Sequence, residues 1–352
     1  MKILDRIIDS SHRPYLIAEM SGNHNQSLER ALELVDAAAA NGADAIKLQT
    51  YTADTMTLNL RTTGFVIEDS ASPWAGRQLF ELYQEAHTPW EWHGPIMARA
   101  ASNGIHCFST PFDFTSVDFL ESLNVPAYKI ASFEIIDLPL IRRVAETGKP
   151  IIMSTGMATV SEIDEAVSAA RDSGCHDLAL LKCTSTYPAS AENSNISTIP
   201  HLRAMFDCEV GLSDHTMGCG VSVAASALGA TIIEKHFTLR RADGGVDSVF
   251  SMEPNELSQL RRETDSAWHA IGKVTYGPTR AEIKSLAFRR SLYIVHDLKS
   301  GDILTRDNLR CVRPGFGLPP KHLYSLIGQC IGRDVDAGTP MSWELLTPKP
   351  PV

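Results

Sequence analysis

Residues 209–238 read EVGLSDHTMGCGVSVAASALGATIIEKHFT, and the order of textures along this stretch decides the fold. Val210 and Leu212 open a short apolar run that ends in Ser213, Asp214 and His215; Ile232 and Ile233 open a second that ends in Glu234, Lys235 and His236. Between them lie the small residues of MGCGVSVAASALGA, with a glycine near the end, the pattern of a helix and its stop. Strand, helix, strand makes a parallel pair, with both histidines at strand ends on one side of the sheet. Side chains alternate along a strand, so Ser213 and His215 share one face, as do Glu234 and His236. A single histidine there is ordinarily a hydrogen-bonded polar residue. Two of them, each beside a carboxylate, favour a divalent metal with positions open for water and substrate.

The same rhythm runs outward through the chain. Apolar runs at 15–20, 45–50, 104–112, 127–134, 150–156 and 178–185 bring the strands to eight. Helical spacing separates them at 27–40, 114–123, 138–146, 160–173 and near 199–206, with Thr88-Pro89 opening another helix. Eight strands alternating with helices predict an α/β fold, a (β/α)8 TIM barrel. No GxGxxG or GxxxxGK[ST] follows any strand, which disfavours a doubly wound nucleotide-binding sheet. Residues 255–271 form a long polar helix that closes the barrel. Residues 51–87 break the rhythm; an insertion of this length after a strand either covers a site or is a structural flap. From Phe288 the texture changes to short strands and turns, and DLKSGDILT resembles DVDAGTPM. The expected organisation is a catalytic barrel over 1–272, a linker over 273–287 and a small β-rich module over 288–352.

Composition bounds the class. The 352 residues are 43% hydrophobic and 21% charged, ordinary for a globular protein, and the net charge of −10 without a basic run argues against nucleic acid or a membrane surface as partner. The seven cysteines are scattered, odd in number and without a CxxC pair, which predicts reduced thiols and a cytoplasmic location. MKILDRIIDS is too short and too charged for a signal peptide.

In a barrel the carboxyl ends of the strands carry the chemistry. Here they hold Glu19, Lys47, Gln49, Thr110, Lys129, Ser132, Ser154, Thr155, Ser185, Ser213, Asp214, His215, Glu234 and His236. Two lysines and a ring of hydroxyls suit a phosphate. Glu19 and Glu234 either orient a polyol and move protons or pair the lysines. A metal beside a phosphate site fits a phosphorylated small molecule reacting with a carbonyl; aldol-type condensation, isomerisation and phosphate-ester hydrolysis all stay open at this point.

IAEMSGNHN, ADAIKLQTYTADTMT, FSTPFD, VPAYKIASFEI, IIMSTGMAT, LLKCTSTYP, VGLSDHT and IEKHFTL, in this order, resemble the sialic acid synthase family. SLYIV, RPGFGLPP and DVDAGTPM resemble that family's C-terminal antifreeze-like (SAF, β-clip) domain. GRQLFELYQEAHTPWEWH, FEIIDLPLI and ADGGVDSVFSMEP look like its pseudaminic acid branch, with the legionaminic acid branch as the nearer rival. Where N-acetylneuraminate synthases carry a Gly-Pro-Asp-His-type sequence this chain has Asp247-Ser248, which tells against N-acetylmannosamine as acceptor.

The resemblance implies a transferase that condenses phosphoenolpyruvate with an open-chain diacetamido-trideoxy hexose, releasing phosphate. It implies that His215 and His236 hold Mn²⁺ or Mg²⁺. It places phosphoenolpyruvate against Lys47, Thr110, Lys129, Ser132, Ser154, Ser185 and Ser213, with Ser185 where the synthases often have Asn. Glu19, Gln49, Tyr187, Glu234 and Phe288 match sugar-side positions, Glu19 as the proton carrier. Arg313 matches an arginine that reaches a partner's barrel, which implies a domain-swapped homodimer. The product would feed flagellin or surface-polysaccharide glycosylation. A barrel aldolase or isomerase would ignore phosphoenolpyruvate. A non-catalytic carbohydrate or ice binder would have no use for lysines and histidines at one mouth.

Overall fold

The computed structural model describes residues 1–70 and 72–347. Position 71, inside the predicted insertion, and 348–352, the end of the predicted C-terminal module, lie outside the described residues. The chain divides into two compact units, Met1–Gly272 and Lys273–Val352.

The first unit is a closed parallel barrel. Numbering only its own elements, the strands are β1 (Tyr15–Glu19), β2 (Ala45–Thr50), β3 (His106–Pro111), β4 (Tyr128–Ile130), β5 (Ile151–Ser154), β6 (Leu178–Cys183), β7 (Glu209–Ser213) and β8 (Ile232–His236). Each pairs with the next, and β8 closes on β1 with His236 opposite Glu19. The predicted strands are all present and the predicted barrel is the one observed.

Alternation sorts each strand into two faces. Leu16, Ala18, Ile46, Leu48, Tyr128, Ile130, Leu180, Val210, Leu212 and Ile233 point outward into the layer shared with the helices. Tyr15, Ile17, Ala45, Phe108, Ile152, Ala179, Leu181 and Ile232 point inward and fill the lower barrel. A two-stranded hairpin, Lys2–Ile3 with Arg6–Ile7, adds Ile3 and Ile8 to that inner cluster and floors it. One step further along the same inward faces, the residues become polar. That is how a single pleat yields an apolar plug and a reactive rim.

Gly211 is the tight spot of the inner layer. A Cβ there would collide with the Ile232 carbonyl oxygen and lie 2.8 Å from both Ile232 Cβ and Leu181 Cδ2. A backbone atom cannot swing aside, so Gly211→Ala is expected to cost about 1–3 kcal/mol. It should lower the urea midpoint at an unchanged slope, and an unmoved midpoint would refute the overpacking argument.

The helices that cover the barrel are α1 (Leu28–Ala40), α2 (His93–Ser102), α3 (Phe114–Ser122), α4 (Leu138–Ala145), α5 (Val160–Asp172), α6 (Thr198–Phe206), α7 (Gly220–Ala227) and α8 (Pro254–Ile271). Their starts are written in the chain: Ser27 caps α1 through the Arg30 amide, and Thr159 with Glu162 makes a capping box on α5. The polar helix α8 buries Leu257 and Leu260. Its Arg261 donates to the Pro14 carbonyl at 2.9 Å and to Asp44 Oδ2 at 3.1 Å, tying it to the starts of β1 and β2.

The second unit pairs Ser291–Ile294 antiparallel with Leu309–Val312 over a core that includes Leu292, Ile294, Leu304, Leu326, Ile331 and Met341. The two similar phrases of the sequence meet there: Leu298 and Val335 exchange both backbone hydrogen bonds. Among the described residues no helix is long and apolar enough to cross a membrane, and all seven cysteines are unpaired.

Candidate active site

The inward rim at the strand ends is a charge network. Glu19 on β1 pairs with Lys47 on β2, whose ammonium donates to Thr110 Oγ1 on β3 at 3.2 Å. Glu234 Oε1 on β8 lies 3.9 Å from Lys47 and 3.5 Å from Lys129, and accepts from Ser213 at 3.1 Å. Lys129 donates to Ser154 at 2.6 Å. Gln49 donates to Glu19 Oε1 at 2.9 Å. All four charged groups are buried. Both carboxylates therefore do pair the lysines, the structural role left open above.

Burial pushes the Glu19 carboxyl up to about 7 against the pull of Lys47. Burial also works against Glu234, but Lys129 and Lys47 outweigh it and hold that carboxyl low. Burial lowers the Lys129 ammonium against the pull of Glu234, whereas at Lys47 burial is outweighed by Glu19 and Glu234, which hold that ammonium up. Both ammoniums face a ring of hydroxyls.

That ring closes around a glycine. The Gly156 amide donates to Ser132 Oγ at 3.1 Å, and a Cβ on Gly156 would collide with the hydroxyls of Ser132 and Ser185. Only glycine lets those two hydroxyls converge beside Ser154.

His215 and His236 stand with ring centres 5.4 Å apart. His215 Nδ1 lies 2.9 Å from the Thr184 carbonyl oxygen, which can only accept, so Nδ1 carries a proton and Nε2 is the nitrogen left for a ligand. His236 Nδ1 is buried with no hydrogen-bond partner, 3.7 Å from Asp247 Oδ2. Burial holds the His236 imidazole well below its usual range, so it is neutral. Burial also works against a charged His215, but Cys183 and the Thr184 carbonyl outweigh it and raise that imidazole above its usual range. The His215 ring must therefore shed a proton before it joins the neutral His236, with its orphaned nitrogen, as a donor to a divalent metal. Among the described residues no set of three or more His, Cys, Asp or Glu is placed to hold one. Tyr187 packs at 4.4 Å from the His215 ring and 6.1 Å from that of His236.

Asp214 belongs elsewhere. It points away from the barrel axis and pairs at 3.1 Å with Lys235, also fully buried. Thr216 and Ser222 satisfy the carboxylate, and the carbonyls of Thr216 and Gly218 take the remaining ammonium protons. The pair locks the loop that carries His215. Phe288 and Arg313 lie in the second unit, both exposed there.

Sequence reasoning missed Cys183 and Glu134, and noted Asp247 only as a departure bearing on the acceptor, without placing it beside His236. Asp247 accepts from Ser21 Oγ, and burial pushes it up to about 6. Cys183 Sγ lies 3.8 Å from Ser185 Oγ and 3.9 Å from His215 Nδ1; alternation from Leu181 could have found it. The insertion does cover the site: Trp74 donates to the Val246 carbonyl at 2.8 Å and packs 5.8 Å from Tyr187, roofing a cavity of about 400 Å³.

The NeuB family model matches residues 34–276 and the SAF domain model residues 289–347. The chain belongs to the NeuB family. Pseudaminic acid synthase of Helicobacter pylori is 41% identical over 94% of this chain and 96% of its own. N,N'-diacetyllegionaminic acid synthase of Legionella pneumophila is 36% identical over 95% of each. The crystal structure of N-acetylneuraminic acid (sialic acid) synthetase from Leptospira borgpetersenii, solved with citrate, superposes with a TM-score of 0.73 at 30% identity, covering 81% of this chain and 94% of that one. The barrel, the SAF domain and the family are thus those that the sequence motifs indicate, and this NeuB chain is an enzyme of the transferase type.

Proposed function

We propose that this enzyme is a pseudaminic acid synthase. It condenses phosphoenolpyruvate with 2,4-diacetamido-2,4,6-trideoxy-altrose and releases phosphate. The convergence of Lys47, Lys129 and the hydroxyls of Thr110, Ser132, Ser154, Ser185 and Ser213 near His215 and His236 supports the condensation, and the higher identity to a pseudaminic acid synthase than to a legionaminic acid synthase supports the branch. The lysines and hydroxyls grip the phosphate and carboxylate of phosphoenolpyruvate. His215 and His236 would hold Mn²⁺ or Mg²⁺, which would supply Lewis-acid polarisation of the acceptor aldehyde. Gln49, Tyr187, Glu234 and Phe288 are assigned to the sugar side, and Arg313 reaches a partner's barrel from a swapped SAF domain.

Carbon 3 of phosphoenolpyruvate attacks the aldehyde carbon, water adds at carbon 2, and the tetrahedral adduct expels phosphate. The proton that the water loses is the one the new alkoxide needs. Glu19, with its carboxyl near 7, is tuned to carry it. Excluding bulk water beneath the insertion keeps phosphoenolpyruvate from simple hydrolysis.

Phosphate release with Mn²⁺ tests the reading, with the altrose sugar, the corresponding mannose sugar of the legionaminate route and N-acetylmannosamine offered in parallel. Strong preference for the altrose sugar is expected. Preference for either other sugar would move the chain to another branch. No release with any of them would overturn the reaction.

A further inference from the structure

The cavity under the insertion has two unlike ends. Ser21, Gln49, His236 and Asp247 make the inner end polar. The outer end is walled by Met56, Ile67, Leu79 and Leu82 of the insertion, with Phe112 and Phe133 from the loops after β3 and β4. Phosphoenolpyruvate has no apolar group to set against such a wall, and an open-chain polyol has few. The lining also holds the hydroxyls of Ser72 and Tyr83 and the carboxyl of Glu134, whose Oε2 is buried without a hydrogen-bond partner. A stripped carboxylate oxygen beside aliphatic side chains is costly until a donor reaches it. Burial raises the Glu134 carboxyl to about 7, which reflects the same deficit.

An N-acyl group meets both demands, since its N–H donates and its methyl is apolar. We propose that the outer end is the subsite for the acceptor's methyl-bearing groups, its N-acyl and deoxy carbons seating against Met56, Ile67 and Leu82 while an amide N–H donates to Glu134. This rests on the acceptor class proposed above, and makes the insertion the determinant of which sugar is taken.

The test separates the two. Titration calorimetry in Mn²⁺ buffer, without phosphoenolpyruvate, compares the diacetamido-trideoxy sugar with a matched hexose bearing hydroxyls at those carbons. The wild type is expected to bind the methyl-bearing sugar at least ~10-fold more tightly, the scale of one methyl group in an apolar pocket. Ile67→Ser and Met56→Gln, both at half-buried positions, should each erase most of that preference and leave the hydroxylated sugar's affinity alone. Glu134→Leu should weaken only N-acylated sugars. Equal binding of the two sugars by the wild type, binding of neither, or an intact preference in both insertion variants would overturn the subsite. Phosphate release is measured alongside. Preference intact without release would sink the condensation and keep the subsite; release intact without preference would do the reverse.

Discussion

Replacing His236 by alanine is expected to remove nearly all turnover, on the order of 10³-fold, the worth of several kcal/mol of Lewis-acid stabilisation. The imidazole sits at the end of β8 with its Nδ1 buried and unpartnered, so nothing inside the protein depends on it for a hydrogen bond. The variant should therefore keep its melting temperature within a few degrees while losing bound Mn²⁺ on dialysis. That split distinguishes a ligand from a packing residue. Metal content and turnover near those of the wild type would sink the two-histidine site.

Lys129→Met removes one of the two buried cations and is expected to lower kcat/KM for phosphoenolpyruvate by roughly 10²–10³-fold, the scale of losing one preorganised donor to developing charge. Lys129 donates to Ser154 and stands 3.5 Å from Glu234. Without it Ser154 loses its orientation and Glu234 loses the larger of the two attractions that keep it ionised. The loss should fall chiefly on the KM for phosphoenolpyruvate and on kcat, with a smaller effect on the acceptor sugar through Glu234. An unchanged KM for phosphoenolpyruvate would show that the lysine serves the scaffold alone.

The barrel was legible because two short-range rules agree along its whole length. Every strand is a brief apolar run, and every helix carries a 3.6-residue stripe with a cap or a stop. Alternation also delivered the rim: Glu19, Lys47, Lys129, Ser213 and Glu234 follow inward-facing core residues by even steps. The same rule, applied strictly, would have turned Asp214 and Lys235 to the outside, where they form their own pair. What stayed hidden depends on distant partners. The N-terminal hairpin is defined by the barrel floor it fills. Within the insertion the helix Leu79–Ala86 has helical spacing, which the sequence reading passed over; much of the rest takes its order from contacts such as that of Trp74 with Val246, 172 residues away. Asp247 and Glu134 acquire their character from burial, which no local pattern records.

The insertion leaves the hydrogen-bonded barrel untouched. It enters after β2 and returns before α2, and its walls meet the cavity from above while the lysines and histidines rise from the strands below. Residues in the first group can therefore vary without moving a backbone atom of the second. A scaffold divided in this way is open to diversification: acceptor choice can drift by substitution in one loop while the bond-forming apparatus is inherited whole. The same division marks the insertion as the place to graft when a synthase of altered sugar preference is wanted.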